Sequence, residues 1–216
     1  AKPSKRGTHR GCRAQVHYFI VKQRGWFHER PLDRMCGVEG RVSDFTYEEL
    51  QRFTLGKSKE RIPKFEDVLK LVNGRTPLIV EFKVEVMDIS ICPIACRLLD
   101  AYQGFYCMES FHPLCLLWYR VHRNHIVRGQ LSDGFMQENY REPHFFMVQN
   151  LLFNFIGRPD FIAYNHKYSA GLSRRLCHGL YRSTAVAWTI KSQRELDGAR
   201  KEFDLFIFDS FAPREV

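Results

Sequence analysis

The 216-residue chain lacks any apolar run approaching the ~18 residues a membrane-spanning helix needs, so no span is expected. Its start is basic but has no apolar h-region, so no signal peptide is read there. Residue 1 is Ala rather than Met, as in a fragment or a processed product. Zinc-type ligand spacing is also missing. The seven cysteines stand at 12, 36, 92, 96, 107, 115 and 177, an odd number at irregular intervals, and Cys92-x-x-x-Cys96 has no partnering pair. They read as reduced core thiols of a cytoplasmic protein. Acidic residues are scarce in one place only. Residues 1–30 carry eight Lys or Arg against the single acid Glu29, while the other 186 residues carry 25 basic and 23 acidic groups. Most of the net charge of +9 therefore lies in residues 1–30, where a basic N-terminal arm is read over residues 1–14. Those 186 nearly neutral residues make up most of the barrel-like domain read over residues 15–216 and argue against a nucleic-acid footprint along it.

What is present is alternation. Val16–Val21 and Trp26–His28 read as two short strands joined at Lys22–Gly25, and residues 30–45, with Pro31, Gly37 and Gly40, read as loop. Thr46 followed by Glu49 is a capping-box signal. Pro63–Val72 reads as a helix that starts on Pro and stops at Asn73-Gly74, with Phe65, Val68, Leu69 and Val72 on one face. Strands then follow over 77–83, 105–109, 126–131, 161–164, 184–190 and 204–208. Helices are read between them around 91–102, 112–122, 144–157, 172–181 and 193–201, with a polar excursion at 132–143. Strands spaced by helices imply right-handed βαβ units, and six in a row plus the early pair point to a barrel more than an open sheet. In such a barrel the working groups stand at the C-terminal strand ends. Polar residues cluster there in this reading: Glu81, Lys83, Glu109, Ser110, Arg128, Gln130, Tyr164, Trp188, Thr189 and Asp209.

The strand Pro77–Lys83 organises the rest. Its first residues are apolar, as in a strand buried on both faces. Glu81 and Lys83 are two residues apart and so leave the same face. Two charges on a buried strand need a reason. Either they neutralise each other or reach water, or they hold a metal and a phosphate.

The ordered segments Phe27–Met35, Arg61–Leu69, Pro77–Lys83, Tyr106–Phe111, Val127–Leu131, Arg158–Tyr164, Ala187–Ile190 and Phe203–Phe208 resemble the glycerophosphodiester phosphodiesterase family, in its bacterial cytoplasmic branch, over about residues 26–213. The resemblance implies an α/β fold, the TIM (β/α)8-type barrel. It also implies metal-assisted hydrolysis of a small-molecule glycerophosphodiester to glycerol 3-phosphate and an alcohol, with Mg2+ or Ca2+ as cofactor. By the same resemblance His28 is a catalytic histidine, Glu81 a metal ligand on the family's third strand, Lys83 the lysine beside it, and Glu109 and Trp188 pocket residues. Arg128 is read alongside them as a cation for the substrate phosphate.

The start departs from the family. His9-Arg10-Gly11 matches the family's first histidine motif, but only 18 residues separate His9 from His28, where the family has a whole helix and strand. The family's Glu-x-Asp metal pair falls on Gln15 and His17, neither a carboxylate. A barrel incomplete at strand 1 and helix 1 is therefore expected, with an open edge that invites self-association. Three readings follow: a working phosphodiesterase; an impaired or non-functional homologue that at most binds; and a protein that meets anions or nucleic acid through its basic arm.

Overall fold

The computed structural model describes residues 17–22, 31–40, 42–84 and 87–214. The arm at 1–14 and the second early strand, Trp26–His28, lie outside the described residues. The strands are β1 (His17–Lys22), β2 (Leu78–Lys83), β3 (Tyr106–Ser110), β4 (Val127–Ser132), β5 (Phe161–Asn165), β6 (Thr184–Ile190) and β7 (Leu205–Phe208). The helices are α1 (Pro31–Cys36), α2 (Tyr47–Leu50), α3 (Phe65–Val72), α4 (Ile91–Asp100), α5 (Pro113–His122), α6 (Pro143–Gln149), α7 (Asn154–Gly157), α8 (Leu172–Tyr181) and α9 (Gln193–Ala199).

The described strands form one seven-stranded sheet in the order β1 to β7, every neighbouring pair parallel. Strand order that follows chain order is barrel winding, in which each crossover helix covers the same outer face. The sheet is one strand short of a closed eight. Among the described residues β7 pairs with β6 alone, as the incomplete barrel expected from the sequence requires.

The local signals act as read, with two corrections. Thr46 and Glu49 exchange bonds at the start of α2: the Glu49 N–H donates to Thr46 Oγ1 at 3.3 Å and the Thr46 N–H to Glu49 Oε2 at 2.8 Å. Helix α3 ends on Asn73, whose left-handed backbone (φ 44°) lets its N–H reach the Leu69 carbonyl. Residues 30–45, expected to be loop, instead hold α1 and a 3-10 turn at Val42–Asp44. Pro31 has a φ ready for a first helical turn, and Gly37 (φ +66°) stops the helix six residues on. The single helix expected at 144–157 is two, α6 and α7, because Leu151 takes a left-handed φ of 58° and breaks the run.

Alternate residues of each strand face opposite ways. Val80, Phe82 and Met108 pack outward with Val68, Leu69 and Val72 of α3, Ala95 and Leu99 of α4, and Leu116 and Tyr119 of α5. Ile162, Ala185 and Ala187 do the same beneath α9, on Leu196 and Ala199. A smaller inner cluster, Leu131, Phe161, Ala163 and Val186 with Cys107, Phe111, Trp188 and Ile207, fills the concave side. The six described cysteines are all free thiols, and none belongs to a metal-ligand group.

Candidate active site

The register across the sheet decides which polar residues meet. Glu81 of β2 is level with Glu109 of β3, and Glu109 is level with Gly129 of β4. Gly129 is level with Phe161 of β5, which belongs to the inner cluster. Residues level in a parallel sheet share a face, so Glu81 and Glu109 stand side by side on the concave side. Both are buried, at 2% and 0% exposure. Gly129 is glycine for a steric reason. A Cβ there would lie 2.1 Å from the Phe161 ring, so the ring can lie against the strand next to Glu109 only over a bare backbone.

Lys83 ends β2 two residues above Glu81, half-buried and on the same face. Trp188 stands across the opening, its ring edge-on to Phe111 with centroids 5.8 Å apart. Its buried indole N–H has no hydrogen-bond acceptor among the described residues. The acidic row is felt by its neighbours. Burial first, and then the charge of Glu109, push the Cys107 thiol up to about 12.

Four of the expected site residues, Glu81, Lys83, Glu109 and Trp188, thus share the concave face near the C-terminal strand ends. Arg128 does not join them, which corrects the expectation. It is the second residue of β4, near the N-terminal end, level with the outward-facing Met108. Its guanidinium donates to the carbonyls of Asn124 (3.2 Å), Ile126 (3.1 Å) and Arg158 (3.4 Å) and lies 3.5 Å from the Asp160 carboxylate. This is a clamp between the entries to β4 and β5, not a phosphate site. Ser110 and Gln130 also face outward. Ser110 donates to the Phe82 carbonyl at 2.6 Å, and the Gln130 amide donates to the carbonyls of Ser110, Phe111 and Leu131.

His9, Gln15 and His28 lie outside the described residues. His17 opens β1 level with Leu78, and the position beside Glu81 belongs to Ile20. The register therefore does not put His17 beside the acidic row. Two polar residues at the strand ends escaped the sequence reading. Asp133 follows β4 on the alternation that carries Leu131, and Asn165 ends β5 level with Trp188. Asp133 accepts the Gly134 N–H at 2.7 Å, and burial holds its carboxyl above the usual range. The signal was local, an acid directly after an apolar strand, but its face depends on the register.

Among the described residues no three His, Cys, Asp or Glu side chains gather as a metal cage. Glu81 and Glu109 are nevertheless donors of the right kind. They are paired carboxylate oxygens in a buried row, and hard divalent cations take oxygen ligands. No helix among the described residues is long and apolar enough to cross a membrane.

Fold and site together define a parallel strand–helix barrel protein with paired acids and a lysine on its concave face. The glycerophosphoryl diester phosphodiesterase family model matches residues 26–195, most of the chain, and the chain belongs to that family. The family's enzyme class is phosphoric diester hydrolase. No curated protein matches the chain. Solved structures agree on the fold. A phosphodiesterase from Oleispira antarctica, determined with its product sn-glycerol-3-phosphate, superposes with a TM-score of 0.66 at 14% identity, over 89% of this chain and 80% of that one. A glycerophosphodiester phosphodiesterase from Parabacteroides distasonis gives 0.62 at 14% identity, over 85% and 72%. The Thermotoga maritima glycerophosphodiester phosphodiesterase gives 0.57 at 17% identity, over 84% and 74%.

Proposed function

We propose that this chain hydrolyses glycerophosphodiesters to glycerol 3-phosphate and an alcohol on the concave face of the barrel, with a divalent cation, Mg2+ or Ca2+, held by Glu81 and Glu109. The observation that carries the reading is the level pair of buried carboxylates with Lys83 two residues above it, in a chain of this family. A cation bound there would offset the negative charge that builds on the phosphate oxygens as the ester bond breaks.

The chain's own groups do the rest. The Lys83 ammonium, at the strand end, meets the phosphate as a point charge. The Trp188 indole N–H offers a donor to a phosphate oxygen, and its ring, with Phe111, makes an apolar wall that excludes water from one side of the diester. His28, the family's catalytic histidine by sequence match, handles the proton on the attacking or leaving oxygen, worth on the order of 10²–10⁴ in rate.

The test is release of glycerol 3-phosphate from glycerophosphocholine, followed with a coupled dehydrogenase across a Mg2+ and Ca2+ series. Activity is expected to need the metal, to fall with Glu81→Gln in a way that excess metal partly restores, and to fall with His28→Ala in a way it does not. Turnover that survives both substitutions would overturn the assignment. No turnover in the parent chain would favour the impaired homologue.

A further inference from the structure

Helix α8 carries an apolar stripe that nothing in the described fold covers. Leu172, Leu176 and Leu180 are 71%, 45% and 72% exposed and recur every fourth residue, so they lie along one side of the helix. The opposite side faces the barrel, where Arg174 is buried, and Cys177 packs against the outer core cluster that includes Ile162 of β5 and Leu196 of α9. The stripe continues onto the next segment. Ser173 Oγ bonds Asn150 Oδ1 at 3.0 Å and Asn154 Nδ2 reaches Cys177 Sγ at 3.9 Å, so residues 150–155 run alongside α8. That segment adds Leu152 (46% exposed) and Phe155 (73% exposed). Both neighbouring crossovers, α6–α7 and α9, are among the described elements, and neither buries the stripe.

The chain segment that carries the stripe has charge of one sign. No Asp or Glu occurs between Asp160 and Glu195, while Lys167, Arg174, Arg175, Arg182, Lys191 and Arg194 do. Arg174 is spoken for by Glu202, within 2.5 Å. Arg175 and Arg182 are exposed; Arg175 sits within the helix beside Leu176, and Arg182 is the left-handed C-cap (φ 50°) just past Leu180. An apolar stripe with exposed arginines beside it, on a helix of low overall hydropathy whose acidic partners, Glu202 on Arg174 and Asp204 on His178, meet it on the side away from the leucines, is the pattern of a helix that lies in a bilayer interface. A partner protein surface would more often meet acids as well as bases at such a rim.

We infer that α8, with Leu152 and Phe155 beside it, docks the protein on an anionic lipid surface, its leucines in the headgroup–acyl boundary and Arg175 and Arg182 on the lipid phosphates. This inference is independent of turnover.

The probe is sedimentation of the full chain with vesicles of phosphatidylcholine alone or mixed equally with phosphatidylglycerol. Binding is expected to the mixed vesicles, weaker in high salt and at least about tenfold weaker to phosphatidylcholine alone. Leu172→Ser/Leu176→Ser/Leu180→Ser should lower partition about tenfold or more. Arg175→Gln/Arg182→Gln should narrow the difference between the two vesicle types. Leu176→Trp keeps an apolar side chain and folds on the same terms as the parent. Its added fluorescence should shift to the blue on mixed vesicles. The basic N-terminal arm could also meet anionic lipid, but pelleting through the arm would survive the leucine substitutions. Undiminished pelleting in the triple variant, no pelleting of the parent, no blue shift of Leu176→Trp, or a concentration-dependent dimer that the leucine substitutions abolish would each overturn the inference.

Discussion

Replacing Arg128 with Met separates a structural clamp from a substrate contact. In the native chain Arg128 is only 7% exposed and its guanidinium donates to three carbonyls, those of Asn124, Ile126 and Arg158. The Arg128 backbone N–H also donates to Asp160 Oδ2 at 2.9 Å, a bond the substitution keeps. Met fills the volume of the stem and removes the donors. The half-exposed Asp160 returns to water at little cost, so the ion pair itself contributes little. The main loss is charge-assisted bonding to carbonyls that are then short of partners, on the order of 1–3 kcal/mol for each one that water cannot reach. With one or two of the three so placed, a total of about 2–4 kcal/mol is expected. For a domain of this size that lowers Tm by roughly 5–15 °C. Thermal melts by circular dichroism measure it, and glycerol 3-phosphate release below the melt measures function. The expected result is a large drop in Tm with KM unchanged. An unchanged Tm with a raised KM would refute the clamp and return Arg128 to the phosphate.

Gly129→Ala should drive a methyl into the Phe161 ring and push it toward Glu109. A destabilisation of about 1–3 kcal/mol is expected in urea melts, relieved when Phe161→Leu is added. Burial holds both His112 and His166 below their ordinary 6.5. Each binds its proton more readily in the unfolded chain, so their contribution to stability is present above 6.5 and is lost as pH falls through that value and the lowered folded-state values. Urea midpoints at pH 7.5 and 5.5 should differ less in His112→Gln/His166→Gln than in the parent. Among the described residues β7 pairs with β6 alone, and its Leu205 (56%) and Phe208 (46%) are exposed. Leu205→Lys should therefore lower any self-association seen by light scattering, and the same association in both proteins would place the contact elsewhere.

The alternation of strands and helices was legible because its signals are local. Apolar runs of five or six residues, Thr46 with Glu49, and Asn73 at a helix end each act within a few residues of themselves. The start and end of β6 and of α8 stand where the sequence places them. Where a local signal was ambiguous the reading slipped. Pro31 and Gly37 look like loop residues in a row of letters, yet one starts and the other stops a single helical turn and a half. An apolar stretch at 144–157 gives no warning that Leu151 turns left-handed.

Glu81 and Lys83 were paired by sequence alone, since residues two apart on one strand must share a face. What only the tertiary structure decided was which residues of different strands join them. Glu109 does, because β2 and β3 are in register at that level. Arg128 does not, because it is level with Met108 rather than with the acids, and its charge is used at the far end of the strand. Asp133 and Asn165 reach the concave side by the same rule that takes Ser110 and Gln130 away from it. A shift of one residue in register exchanges the two faces of a strand, and register is set by neighbours far away in the chain. The leucines of α8 could be seen in the sequence as an amphipathic face. That they point away from the barrel, while Arg174 points into it, was settled only by the packing of the helix on the sheet.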